Sequence, residues 1–366
     1  MISENQVYRD LQKFLDTLPG GFASTESGSD IELLKYLFTP EEARVAIHLS
    51  MEPESAQVIH DHITKSGMSI TRDEVQEILD SMLRKGTLMP RYESYSETQY
   101  CCTDTTSGGM ITLQVDRLTD EFLEKFGKYS ADKAGGNTTT PKEHSPLRTV
   151  PVEQSLSVPE RFPVSSYDDI REIVKNLPGP FAVANCICRQ MTRIHGGKCA
   201  VTDLEESCVI IGPDHARHYI DMGIGRFISR KEVFDILEKA QQDGLILQPE
   251  NSQRPEAICC CCGDCCVFLT RYKKLPRPAD MYLSNFYAEV DPGSCVGCGL
   301  CVERCQMEAR ALLDGIASVN LDRCIGCGNC VVLCPSGANQ MRKKEEELVP
   351  VKDKDAFYMN LLSSKK

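Results

Sequence analysis

The chain has 366 residues, 41 Lys and Arg against 53 Asp and Glu, a net charge of −12, and twenty cysteines. The length allows two or three domains, and the acidic balance disfavours a nucleic-acid surface, which needs clustered cations. The opening residues MISENQVYRDLQ lack a basic and apolar leader, and no apolar run is long enough to span a bilayer, so a cytoplasmic protein is expected. Cysteine this abundant without an export signal reads as metal binding rather than disulfide stapling.

Residues 1–126 read as a helical, winged-helix-like unit. Leu33, Leu34 and Leu37, then Ala43, Ala46, Ile47 and Leu49, keep a helical period. Thr39-Pro40-Glu41-Glu42 is a helix start, with Pro at the first helical position and acids on the positive end of the dipole. Thr71 with Glu74 predicts a capping box, and the helix it opens carries Val75, Ile78, Leu79 and Met82 on one face and stops before Gly86. A strand is expected from Thr87, and the alternation in ITLQV at 111–115 predicts another. Helices followed by a hairpin is the winged-helix plan. These 126 residues hold 22 acidic and 11 basic side chains, so the unit is expected to dock protein rather than DNA.

Residues 127–163 read as a linker, because five prolines and few large apolar residues offer little to bury. The next unit, 164–280, repeats features of the first. Tyr8, Asp10, Leu18, Pro19, Gly20 and Phe22 match Tyr167, Asp169, Leu177, Pro178, Gly179 and Phe181. Arg72, Glu74, Val75, Ile78, Leu79 and Gly86 match Arg230, Glu232, Val233, Ile236, Leu237 and Gly244, and Cys101-Cys102 fall on Cys259-Cys260. The offset slips by a single residue between the two sets, which points to an internal duplication.

The 164–280 unit holds Cys186, Cys188, Cys199, Cys208, Cys259, Cys260, Cys261, Cys262, Cys265 and Cys266. That exceeds one four-ligand site, and so many reduced thiols need metal or burial to resist oxidation. An additional site is expected on a subset of Cys186, Cys188, Cys199, Cys208, Cys259, Cys261, Cys262, Cys265 and Cys266, holding an iron–sulfur cluster or zinc. A redox dithiol from adjacent cysteines is disfavoured by strain. Arg189 beside Cys188 is a candidate for stabilising a thiolate, and His195, His215 and His218 lie nearby in sequence.

Residues 285–340 carry the sharpest signal. Cys295, Cys298, Cys301 and Cys305 read C-x2-C-x2-C-x3-C; Cys324, Cys327, Cys330 and Cys334 repeat it, with Pro335 following. This spacing suits two [4Fe–4S] clusters and is too tight for two separated zinc pairs. The tail, 341–366, is charged at RKKEEE and ends in FYMNLLSSKK.

CVGCGLCVERC and CIGCGNCVVLCP resemble the motifs of bacterial-type two-cluster ferredoxins. The resemblance implies one cluster on Cys295, Cys298, Cys301 and Cys334 and another on Cys324, Cys327, Cys330 and Cys305. It also implies cluster-wrapping turns at Gly297, Gly299, Gly326 and Gly328. Gln306 departs from the family, which has proline after the fourth cysteine. Over nearly its full length the chain resembles 4Fe–4S dicluster proteins of anaerobic bacteria and archaea, through LFTPEEA at 37–43, C-x-C-R at 186–189, the cysteine knot at 259–266 and the ferredoxin motifs at 295–335. The resemblance implies anaerobic electron transfer.

The fold expected is therefore α+β, with two winged-helix-like units ahead of a two-cluster ferredoxin fold. The function expected is electron transfer as a subunit or redox partner of an oxidoreductase. The alternatives are a redox-sensing regulator and a reductase that binds substrate at the middle cysteines.

Overall fold

Of the chain in this computed structural model, residues 4–92, 97–103, 109–134, 142–156 and 163–365 are described. It divides into two units: Met1–Thr138 with Pro213–Phe227 and Leu361–Lys366, and Thr139–Gly212 with Ile228–Asn360. Helices and small sheets mix in an α+β arrangement. Among the described residues no helix is long and apolar enough to cross a membrane.

The first unit is built on capped helices. The Thr39 hydroxyl accepts from the Glu42 N–H at 3.2 Å, and the Glu42 carboxylate accepts from the Thr39 N–H at 2.8 Å, opening helix Pro40–Ala46. Glu42 is buried, and it also takes a proton donor from Ser81 at 2.9 Å and from the Lys85 ammonium at 2.8 Å. Both donors lie on helix Arg72–Lys85, which Thr71 and Glu74 cap in the same way. That helix ends at Gly86, whose φ of 72° suits glycine, and an added Cβ there would come within 2.7 Å of the Leu113 side chain. Strands Leu88–Tyr92 and Thr98–Cys102 follow as an antiparallel pair.

Two expectations fail here. Residues 111–115 do not form a strand: Thr112–Gln114 is a 3-10 turn. Leu113, Gln114 and Val115 are buried in succession, and the Gln114 amide donates to the Lys85 carbonyl at 2.9 Å, so tertiary contacts override the alternation. The stretch 213–227, placed by sequence in the middle unit, groups with the first. Its helix Pro213–Asp221 takes the Tyr92 N–H on the Asp214 carboxylate at 2.9 Å, and Arg217 covers the Tyr92 ring at 3.9 Å.

The second unit centres on antiparallel strands Phe181–Asn185, Glu206–Ile211, Ala257–Cys261 and Ile246–Pro249, paired in that spatial order. Helix Arg230–Asp243 packs over it, capped by the Ser229 hydroxyl and ending at Gly244 with φ 83°. Arg304 lies over Gly244 and donates to the Gln241 carbonyl at 3.0 Å, a cation on the negative end of the helix. Asn329 donates to the carbonyls of Gly244 and Leu245 at 2.9 and 3.1 Å. The cysteine-bearing C-terminal segment is therefore docked on the sheet's covering helix.

Part of the stretch read as a linker is not free chain. Leu147, Val150 and Val152 are buried, and the Val150 N–H reaches the Leu247 carbonyl at 3.1 Å while Val152 reaches Cys327 at 3.0 Å. Leu147, Arg148 and Val150 make single-residue bridges and Val152 a lone backbone bond, with no repeating period, so the pattern could not announce them. Arg148, fully buried, meets the Asp168 carboxylate at 3.2 Å and the Tyr167 carbonyl, and Asn285 donates to Asp168 at 2.8 Å. Burial pushes Arg148 down to about 10 and Asp168 upward, so each charge depends on its partner. Asp168→Asn leaves the guanidinium buried without its counter-charge and is expected to cost about 3 kcal/mol. Anaerobic urea unfolding of the second unit measures this, and an unchanged midpoint would show that the pair does not hold 142–156 in place.

Candidate metal centres

Strands Phe286–Val290 and Asn339–Lys343 pair antiparallel and bring the two ends of the C-terminal segment together. Between them lie two cysteine loops, each entering a short helix, Leu300–Glu303 and Asn329–Val332, through a glycine at φ 80°. The loops line two cavities, one larger than the other. The larger is lined by Cys305, Cys324, Cys327 and Cys330; the smaller by Cys295, Cys298, Cys301 and Cys334. Each cavity thus takes three cysteines from one motif and the last cysteine of the other.

The backbone is shaped for close wrapping. Gly297 and Gly326 have φ of 65° and 70°, and an added Cβ would fall 2.2 Å from the carbonyl oxygens of Gly315 and Phe286 respectively. Backbone N–H groups approach the thiols: Ala309 to Cys305 Sγ at 3.2 Å, Ala317 to Cys295 Sγ at 3.4 Å and Asn339 to Cys334 Sγ at 3.4 Å. Burial pushes the Cys305 and Cys327 thiols up and takes Cys330 to about 11 despite the nearby Arg310. Cys334 moves the other way, because the N–H of Asn339 and the Ser336 hydroxyl outweigh its burial.

Arg310 tests whether an anionic group fits. It lines the larger cavity and is 7% exposed, yet no carboxylate or carbonyl meets its guanidinium, whose neighbour is the Cys330 thiol. A buried cation without a partner is costly unless an anion faces it. The charges it feels are those of Cys330, Cys301 and Cys305. Thiolates carrying an iron–sulfur cluster supply the missing negative charge, so this donor set fits the group. Sequence reading passed over Arg310, since an arginine at a strand start has no signature of its own.

Gln306, the departure from the ferredoxin pattern, has a structural role. Its side-chain carbonyl accepts from the Gly263 N–H at 2.8 Å, and a Cβ on Gly263 would lie 2.3 Å from the Gln306 backbone oxygen. The ferredoxin loop is thereby held against the cysteine knot of 259–266.

The sheet sorts the knot. Cys259 pairs with Cys208 on one neighbouring strand and Gln248 on the other, and side chains alternate along a strand. Cys208, Cys259 and Cys261 share one face, while Cys260 turns into an apolar core with Val150, Val209 and Leu247. Cys186 and Cys188, at the start of helix Ile187–Ile194, and Cys266, before helix Val267–Tyr272, complete the first face. Thiol contacts run from Cys186 to Cys188, Cys266, Cys261, Cys259 and Cys208 in turn. Cys259 accepts from Cys208 and Cys261, and Cys266 from Cys188 and Cys261, which draws both well below an ordinary thiol. Their neighbours Cys186, Cys208 and Cys261 are held well above it. Cys259, Cys261 and Cys266 share a second apolar core with Cys305, Cys324 and Cys327.

Cys199, Cys262 and Cys265 form a separate group with Asp264, which sequence reading missed although it stands inside the knot. Arg189 is 3% exposed and donates to the carbonyls of Leu204 and Cys260 and to the Ser207 hydroxyl, at 2.6 to 2.7 Å. Burial works against its charge, but Cys186, Cys262 and Cys199 outweigh it. His195 is exposed at a helix end, and His218 is buried, its imidazole pushed down to about 3 by desolvation; neither joins the cysteine groups.

Residues 287–335 match a family model described as a 4Fe-4S dicluster domain. No curated protein and no solved structure matches the chain. The domain match, together with the cysteines, makes this an iron–sulfur protein with a ferredoxin-like domain of the kind that carries electrons.

Proposed function

We propose that the protein transfers electrons through two [4Fe–4S] clusters, as a subunit or redox partner of a cytoplasmic oxidoreductase in an anaerobe. Cys295, Cys298, Cys301 and Cys334 hold one cluster; Cys324, Cys327, Cys330 and Cys305 hold the other. The observation that carries this reading is the exchange of cysteines between motifs, three plus one in each of two adjoining cavities. Each cluster takes up and releases one electron when bound. The chain's own contribution is to exclude water, to aim N–H groups at sulfur and to place Arg310 where negative charge grows on reduction.

The chain of six thiols from Cys186 to Cys208 is read as an additional iron–sulfur centre. Its apolar core is shared with Cys305, Cys324 and Cys327, which supports a relay order from the knot, through the nearer ferredoxin site, to the farther one. The N-terminal helices and hairpin are read as a winged-helix-like module for docking protein. The repeated sequence of hydroxyl cap, fourteen-residue helix, left-handed glycine and strand at Thr71–Tyr92 and Ser229–Pro249 supports a duplicated unit.

Anoxically purified, reconstituted protein is expected to hold at least about eight iron and as many acid-labile sulfides. A content of about four iron or fewer contradicts two clusters. Arg310→Gln removes a positive charge that favours the reduced state, so one of the two midpoint potentials is expected to fall by about 60 mV, a tenfold change for one electron. Redox titration followed by EPR measures it, and potentials unchanged in Arg310→Gln would contradict the placement of that charge beside a cluster.

A further inference from the structure

We propose that Cys199, Cys262, Asp264 and Cys265 bind a single zinc ion, separate from the iron–sulfur centres. Each of the four residues offers a ligand atom, and the four atoms lie within 4.8 Å of one another. One tetrahedral ion with Zn–S bonds of about 2.3 Å holds thiolates about 3.8 Å apart. A cubane places every thiolate on a different iron and spreads them wider. Among the described residues neither ferredoxin quartet is drawn together this closely, so the spacing distinguishes the two kinds of site within one molecule.

The donor chemistry agrees. Three thiolates and one carboxylate at tetrahedral spacing suit zinc. The carboxylate is already oriented: the Ala200 N–H donates to Asp264 Oδ2 at 2.7 Å, leaving Oδ1 on the side of Cys199, 3.7 Å from its sulfur. Cys262 and Cys265 are buried, and Thr192 contacts the Cys265 thiol. Three thiolates and a carboxylate on a divalent ion leave two negative charges, and the buried guanidinium of Arg189 beside Cys262 and Cys199 offsets one of them.

None of the four ligands belongs to the six-thiol chain. The ion would tie the irregular loop at 195–205 to the cysteine knot, since Cys199 lies on the loop and the other three ligands lie on the knot. This reading rests on the middle cysteines binding metal, but it can fail by itself, because zinc and iron are counted separately.

The test uses the full-length protein, expressed with iron and zinc both supplied, purified anoxically and analysed for each metal. The wild type is expected to hold about one zinc per chain. Cys199→Ser and Asp264→Ala should each lower zinc at least fivefold and leave iron unchanged, while Asp264→Cys, which restores a tetrahedral set, should keep the zinc. Cobalt supplied in place of zinc should give thiolate-to-metal charge-transfer absorption that Cys199→Ser abolishes. Zinc below roughly 0.1 per chain in the wild type, or a loss of iron in place of zinc in Cys199→Ser, would overturn the proposal.

Discussion

The structure of the C-terminal segment depends on one constraint: Cys305 and Cys334 reach into the cavities of the motifs that do not contain them. A loop that had to close a cluster from its own four consecutive cysteines would be self-contained. Here neither loop lines its cavity alone, so the pairing of Phe286–Val290 with Asn339–Lys343 helps to form both cavities. The same exchange accounts for the glycines. Gly326 lets the second loop pass against the Phe286 carbonyl, and Gly297 lets the first pass against Gly315. In the proposed reading metal binding and folding are linked, because without clusters the thiols and the Arg310 guanidinium are buried with no anion among them.

The same logic extends to the knot at 259–266. Strand alternation separates neighbouring cysteines: Cys259 and Cys261 face one way and Cys260 the other. Four cysteines in a row therefore do not make one site. They divide among a thiol chain, an apolar core and the Asp264 group, with Arg189 buried between charged neighbours. Gln306 connects this region to the ferredoxin loop where the family pattern has proline.

Local signals in the sequence were strong where the chemistry is local. The helix start at Thr39, the capping box at Thr71, the stop at Gly86 and the repeated cysteine spacing could all be recognised from neighbouring residues. What stayed hidden depends on residues far apart. Val150 and Val152 looked like loop because one makes a single bridge to a distant strand and the other a single backbone bond to the Cys327 loop. Residues 111–115 alternate like a strand but are buried consecutively under Gly86. Asp264 and Arg310 carry no motif, and their interest arises from what the fold places around them. The segment 213–227 shows the same limit at the level of units, since its partners Tyr92 and Arg117 lie more than a hundred residues away.

The most direct test of the central claim is the EPR spectrum of the anoxically prepared full chain after reduction with dithionite. Two clusters in adjoining cavities, each held by three cysteines of one motif and the last of the other, should integrate to two spins or more per chain and show the broadened lines of magnetic interaction. A single sharp signal integrating to one spin, with no interaction, would contradict the account.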